Sequence, residues 1–529
     1  MKQSILELTR RLIATPSISP SLTENDVIDI LEAELREGGV EILETPLREV
    51  GDGRRNLYAR VRGKGKACVL MSGHVDTVPI DDYARYASHG VNQEVAFDPD
   101  ALEKILGPRY GDRYLFGRGA LDMKGAVATC ATLMKRFAQR PKDLPGEVLF
   151  VAVCDEENAS AGMLKAGEFL REYRRREGIQ YEGFINTDYT SPAHADDPTR
   201  FVYSGTIGKL LPAFLVCGRV SHVGEPYFGF PATLLAAAIH QRIELGADLC
   251  ESVHGEVTPP ATALKVEDLK THYDVQTPRQ VHLYYNVFTF ERSPRDVLHQ
   301  MKAAATEAFE ETVRAVEAQE RRHAERRGQE APSRGWKPRV LTLEELKSAV
   351  AAGGHDPGAI LAKALEAHSK ADERVAAREA VRALWDHLPD ADEPGVVVYL
   401  APPYYPGFAT PPDSALGRAV ERLVERHHSD LPQLVLRHFY PYISDMSYLA
   451  FPESLRSGIG TLEANLPGWG ERYRLDLEGI ADLDMPVVNL GPVGFDAHKD
   501  TERVEIDYSF GILPRLIEEL VLETLRGGR

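Results

Sequence analysis

Cysteine is scarce in this chain: five in 529 residues, with no CxxC pair among them. That excludes a small disulfide-stapled scaffold and a cysteine-based zinc knot. Cys68, Cys130, Cys154, Cys217 and Cys250 lie mostly in apolar runs and read as buried thiols of a reduced, cytoplasmic protein. Positive charge is in deficit too, with 62 Lys and Arg against 80 Asp and Glu and a net charge of −18. Binding to nucleic acid or to an anionic membrane needs a basic face, so both partner classes are set aside. No apolar run approaches the roughly 20 residues of a membrane-spanning helix. The opening residues, "MKQSILELTRRLIATPSIS", break their apolar positions with charges, which a secretory signal does not tolerate. Ile5, Leu6, Leu8, Leu12 and Ile13 instead fall largely on one side of an amphipathic helix.

What is present is ordinary globular material, 43% hydrophobic and 27% charged. The length exceeds what one core sustains, so two or more domains are expected. Over the first two hundred residues, strand-like runs at 57–61, 67–72, 147–154 and 183–187 alternate with helical stretches at 26–38, 124–139 and 161–176. This alternation predicts an α/β fold, a parallel or mixed sheet with helices on both faces. From about residue 200 the pattern changes: strands at 209–217, 281–290 and 395–400, with helices at 231–245 and from Ser293-Pro294, predict a smaller α/β layer domain. Residues 312–393 are rich in Ala, Glu, Arg and Leu and read as a solvated helical insertion. Thr342 with Glu345 forms a capping-box pattern, Asp356-Pro357 is a helix start, and "RRHAERRGQEAPSRG" reads as a mobile connection. The expected division is 1–199, 200–411 carrying the insertion, and 412–529.

The polar residues collect where strands end, which is where open α/β sheets place their chemistry. "ACVLMSGHVDTVP" ends on His74 and Asp76, two residues apart and so projecting to one side. Asp122 in "GRGALDMKGAVATC" precedes an apolar helix, where alone it reads as an N-cap. "VLFVAVCDEENASAG" closes an apolar run with Asp155, Glu156 and Glu157, three adjacent acids that repel one another and cost energy to desolvate. Asp188 closes the fourth strand, and His498 lies in a Gly-rich turn in "NLGPVGFDAHKDTERVEI". Singly, each is an ordinary turn residue. Together, His, Asp and Glu without cysteine suit a di-zinc or related two-metal hydrolytic site.

"GHVDTVP", "GRGALDMKG", "DEENASAG" and "GPVGFDAHKDTERVEI" resemble, in order and spacing, the motifs of the M20 metallopeptidases. That family includes carboxypeptidases, dipeptidases, amino-acid deacylases and succinyl-diaminopimelate desuccinylase. Length and the middle insertion are similar to its arginine-utilisation RocB branch. The resemblance implies a zinc-exopeptidase-like mixed sheet with a smaller lid domain. It further implies two divalent ions, zinc in preference to cobalt or manganese. His74 and Asp188 would hold one ion, Glu157 and His498 the other, and Asp122 both, with Asp76 orienting His74. Glu156 would be the general base acting on the water between the ions, Asp155 would serve local hydrogen bonding, and Asp122-Met123 would be a cis peptide. His222 in "CGRVSHVGEPYFGF" matches the lid histidine that stabilises the oxyanion, although alone it reads as a loop histidine. Arg292 matches a lid arginine that binds a substrate carboxylate. Where relatives often have a glycine-rich turn, this chain has Tyr440, Pro441, Tyr442 and Ile443 ahead of Ser444 and Asp445, which would give a narrower substrate-side wall.

The expected function is hydrolysis of an amide bond in a small peptide or N-acyl-amino acid. One alternative is a non-catalytic metal- or ligand-binding regulator on the same fold. Another, which differs only in substrate, is a deacylase of arginine or ornithine breakdown. A homodimer through the lid could present His222 to a second copy, or an enlarged lid could let it serve its own chain.

Overall fold

The central strands of the main sheet are buried along nearly their whole length, because helices cover both of its faces. The computed structural model describes residues 1–429 and 433–527. Its first unit comprises Met1–Thr206, Phe408–Phe451 and Asp476–Arg529. It contains strands β1 (Glu41–Ile42), β2 (Leu57–Val61), β3 (Ala67–His74), β4 (Glu147–Val153), β5 (Gln180–Asn186), β6 (Thr199–Tyr203), β7 (Gln433–Arg437) and β8 (Val487–Asn489), in the spatial order β1-β2-β4-β3-β5-β8-β6-β7. β3 runs parallel to β4 and β5 on either side, and β8 parallel to β5. β1 and β2 add antiparallel pairs, so the sheet is mixed.

Helices cover both faces, as strand alternation shows. Leu57, Ala59 and Val61 join the core shared with the Lys124–Ala138 helix. Tyr58, pointing the other way, stacks on Phe169 of the Ala161–Glu177 helix with ring centroids 3.9 Å apart. The N-terminal helix Lys2–Ile13 buries Ile5, Leu8, Leu12 and Ile13, with Leu6 partly buried beside them. β6 departs from the expected boundary near 200: it pairs in parallel with β7 and so belongs to the main sheet.

The second unit comprises Ile207–Gly407 and Pro452–Leu475. Its five-stranded sheet runs Thr262–Asp268, Gln280–Thr289, Gly208–Cys217, Gly395–Tyr405, Val340–Thr342. Two expectations need correction here. Residues 452–475 cluster with this unit, where Asn465 Oδ1 accepts from the Glu344 amide and Lys347 donates to the Ala464 carbonyl. The insertion has no boundary at 312, since one 33-residue helix runs from Pro294 to Arg326. Nor is the insertion merely solvated. Leu343, Leu346, Val350, Val381, Leu384 and Trp385 form one core with Leu211, Leu215 and Tyr399 of the sheet. The charged residues visible in the sequence occupy the outer faces of helices whose apolar stripes cover a sheet face. Both expected helix starts are present: the Thr342–Glu345 capping box, and Asp356 accepting from the Gly358 and Ala359 amides.

Candidate metal centre

His74 is the last residue of β3, and burial of both faces of that strand carries its ring into the interior at 3% exposure. Its Nε2 lies 2.9 Å from Asp122 Oδ1. Asp122 stands just before the Lys124–Ala138 helix, across a cis bond to Met123. Its second oxygen, Oδ2, is 3.0 Å from His498 Nε2, which in turn lies 3.1 Å from Glu157 Oε1. One carboxylate thus joins two histidines from sequence-distant segments. His74, Asp122 and Glu157 bring one ligand atom each within 4.8 Å of one another. Asp188, beyond the end of β5, lines a small cavity with His74, Glu156, Ser444 and Asp445. Behind it, Gly491 passes so close to the Asp188 carbonyl that a Cβ there would stand 1.9 Å from it.

Asp76, expected to orient His74, reaches that ring through its backbone. His74 Nδ1 is 3.1 Å from the Asp76 carbonyl oxygen and 3.6 Å from its carboxylate. The carboxylate instead accepts the Glu156 amide on Oδ1 (3.1 Å) and the Glu157 amide on Oδ2 (3.0 Å). One buried side chain therefore fixes the backbone from which Glu156 and Glu157 project.

The electrostatics are those of acids crowded in a poorly solvated space. Burial raises Glu156 well above the usual carboxylate range, with Asp445, Glu157 and Asp188 adding to the rise against the pull of His74. Burial and Asp122 push Asp188 up to about 8 and raise Glu157 as well. Asp122 is held low despite its burial by hydrogen bonds from His498 and His74. Burial opposes charge on His498, but Asp122 and Glu157 outweigh it and lift the ring to about 11. Protons bridging imidazole and carboxylate are what a divalent cation displaces when such ligands coordinate. Two imidazoles and three carboxylates without sulfur, the acids crowded together and in need of a compensating positive charge, fit zinc-type divalent ions.

Several supporting residues escaped the sequence reading. Glu502 accepts the Leu121 and Asp122 amides on Oε1 (3.1 and 3.2 Å) and pairs with the buried Arg118 at 2.7 Å. Both stand inside quoted motifs, four residues from His498 and four from Asp122, and that proximity was the available signal. Asn186 and Asn489 clamp the other side: Asn489 Oδ1 accepts from the Asp188 amide, while Asn186 donates to Asn489 and to Ser444.

Ser444 and Asp445 are both buried and shape the inner wall of the cavity. The tyrosines ahead of Ser444 pack together: Tyr440 donates to the Tyr189 carbonyl at 2.8 Å, and the Tyr442 ring lies against Tyr189 and Tyr440. His222 and Arg292 belong to the second unit. His222 is exposed, and its Nδ1 accepts from the Gly224 amide at 3.0 Å, which leaves the N–H on Nε2. Arg292, expected to bind a substrate carboxylate, is engaged within its own unit. All three guanidinium nitrogens already have acceptors in its own unit: Glu251, Gln300 and the Phe288 carbonyl.

The sequence pattern of Peptidase family M20/M25/M40 matches residues 70–509. The RocB protein of Bacillus subtilis (strain 168) is 28% identical, over 99% of this chain and 95% of that protein. A succinyl-diaminopimelate desuccinylase of Beijerinckia indica is 30% identical over 43% of this chain and 53% of its own length. Among solved structures, the fold is similar to aminopeptidase PepT from Bacillus cereus (TM-score 0.54, 15% identity, 99% of both chains). It is also similar to the M20 metallo-carboxypeptidase Sso-CP2 from Sulfolobus solfataricus (TM-score 0.55, 12% identity, 98% of this chain and 99% of that one). Since the match spans every side chain placed around Asp122 and the second unit as well, the chain belongs to peptidase family M20/M25/M40.

Proposed function

We propose that this hydrolase cleaves the amide bond of a small peptide or N-acyl-amino acid, with Glu156 as general base. The observation that carries this reading is the convergence of His74, His498 and Glu157 on Asp122, with Asp188 and a partly buried Glu156 lining the cavity beside His74. When bound, two divalent ions held by His74, Asp122, Glu157, Asp188 and His498 would polarise the scissile carbonyl and lower the pKa of water. Glu156 is the group suited to receive the proton of the attacking water and return it to the leaving nitrogen, since burial raises its affinity for a proton. Asp76, by holding the Glu156 and Glu157 amides, keeps base and ligand in register. His222 has an N–H on Nε2 to offer an oxyanion. A reducing, cytoplasmic setting accords with five free thiols.

End-to-end similarity to RocB favours one narrower substrate class, acylated derivatives of arginine or ornithine. The mutual packing of Tyr189, Tyr440 and Tyr442 supports a restricted pocket rather than a general peptidase cleft.

The test is to load the protein with zinc, cobalt or manganese and assay dipeptides and N-acyl-amino acids, including arginine derivatives. Glu156→Gln is expected to cut kcat by at least about 10²-fold while the metal content by mass spectrometry stays unchanged. Equal activity in Glu156→Gln would remove the base assignment. Fewer than about one ion per chain, with no turnover of any substrate, would favour a non-catalytic regulator.

A further inference from the structure

The loop that carries His222 gets little hold from apolar burial. Val220, Val223 and Phe228 are 38%, 58% and 63% exposed, so hydrophobic collapse holds the loop only at its end, where Phe230 is buried. On one side it is tied by backbone: the Val223 amide donates to the Val275 carbonyl at 2.9 Å and the Ser221 amide to Thr277 Oγ1 at 3.0 Å. On the other side it rests on the far end of the Pro294–Arg326 helix and the segment that follows. Phe230 packs against Phe309 and Trp336, with centroids 5.4 and 5.6 Å away, and the Arg219 guanidinium lies over Trp336 at 5.7 Å. Tyr227 meets His323 at 5.4 Å, and the Arg334 guanidinium covers the Phe228 ring at 4.7 Å. Arg334 is itself fixed by two bonds to Glu320, from Nη2 at 2.6 Å and from Nε at 3.0 Å. Glu320 is 8% exposed, so this fork is sheltered from water and stiffer than a surface pair. Between loop and helix end runs a groove of about 460 Å³, lined in part by Tyr227, Phe228, His323 and Arg334.

The geometry points to a positioning role for residues 320–336: Glu320 fixes Arg334, Arg334 and His323 seat Phe228 and Tyr227, and the seated loop presents Nε2 of His222. This gives the "RRHAERRGQEAPSRG" stretch, read from sequence as a mobile connection, a task in the reaction. The inference rests on the reading that His222 contributes to turnover. A contact over an exposed ring is modest in energy. Its leverage is geometric, because misplacing a catalytic group by about 1 Å can cost about a hundredfold in rate.

The test pairs amide hydrogen exchange on the intact zinc-loaded protein with steady-state kinetics. Arg334→Ala is expected to speed exchange across residues 222–229 and to lower kcat by about tenfold or more, with KM within about twofold. Metal content should not change, and Arg334→Lys should restore part of the rate. In a His222→Ala background, Arg334→Ala should cost nothing further, because both act through one side chain. Should Arg334→Ala fold poorly, Phe228→Leu removes the same contact without uncovering Glu320 and carries the same expectation. Native exchange and full kcat in these variants would overturn the inference, as would an undiminished further loss in the His222→Ala background. Unchanged turnover in His222→Ala itself would sink the reading beneath it, and the inference with it.

Discussion

Asp155 adopts φ 65°, a conformation that few residues other than glycine take without local support, and aspartate is among those that can. Here the support is complete. Its amide donates to Glu24 Oε2 at 2.9 Å, and its carbonyl accepts from the Ser160 amide at 2.7 Å. Its carboxylate accepts from the Ala161 amide and Asn158 Nδ2 and is paired with Arg54. Arg54 is also paired with Glu24, and the three side chains are only 7%, 0% and 1% exposed for Arg54, Glu24 and Asp155. The sequence made Glu156 and Glu157 legible because ligand-type acids at a strand end stand out. It assigned Asp155 only local bonding, because its partners lie 101 and 131 residues away and nothing local distinguishes Arg54 from other surface-type arginines. Removing one partner of a buried ionic cluster strands the others, at a cost of about 3–5 kcal/mol. Arg54→Met should therefore lower the unfolding free energy in urea by about that amount. Glu24→Gln added to it should recover part of the loss, because one stranded charge disappears. A loss below about 1 kcal/mol in the single variant would mean the turn holds itself.

At the scale of elements, the insertion was the part least legible in the sequence. Its charge was visible, but the sheet face that its apolar stripe covers is assembled from strands far apart in the chain. The helix Glu373–Trp385 packs there, with Trp385 fully buried and its indole N–H donating to the Ala391 carbonyl at 3.0 Å. The same cover buries His282, which sits opposite Leu215 and whose Nε2 is 2.9 Å from the Tyr399 hydroxyl. Burial first, then the nearby Arg378 and Lys265, push its pKa from 6.5 down to about 3. A base depressed in the folded state gives stability that is fully present above its unfolded pKa. That stability is lost as pH falls from 6.5 towards about 3, because the unfolded chain takes up the proton first. The loss is at most about 5 kcal/mol. His282→Gln keeps a polar partner for Tyr399 and removes the titration. Urea unfolding followed from pH 7 to pH 4 should fall less steeply in this variant than in the parent. Parallel slopes would show that His282 is not among the groups responsible for acid sensitivity.

At the scale of the molecule, the two units have separate hydrophobic cores, and the proposed ligands all lie in one of them. His74, Asp122, Glu157, Asp188 and His498 belong to the first unit, whose core gathers around β2, β3 and β4 and the helix Lys124–Ala138. The second unit has its own core beneath the insertion. The alternating strands and helices of the first two hundred residues foretold the first unit, whereas residues 452–475 fell on the wrong side of the boundary. Those short helices carry no pattern of their own that says which core receives them. A ligand that binds only the folded first unit stabilises that unit by RT ln(1 + [L]/Kd), about 2.7 kcal/mol at a hundred times Kd. Scanning calorimetry with and without a chelator should therefore resolve two transitions. Zinc should raise one of them by several degrees and leave the other in place. In Asp122→Ala, which removes the carboxylate joining both histidines, zinc should lose most of that effect while the unmoved transition stays where it was. Equal shifts of both transitions, or a full zinc effect in Asp122→Ala, would place the bound ions somewhere other than around Asp122.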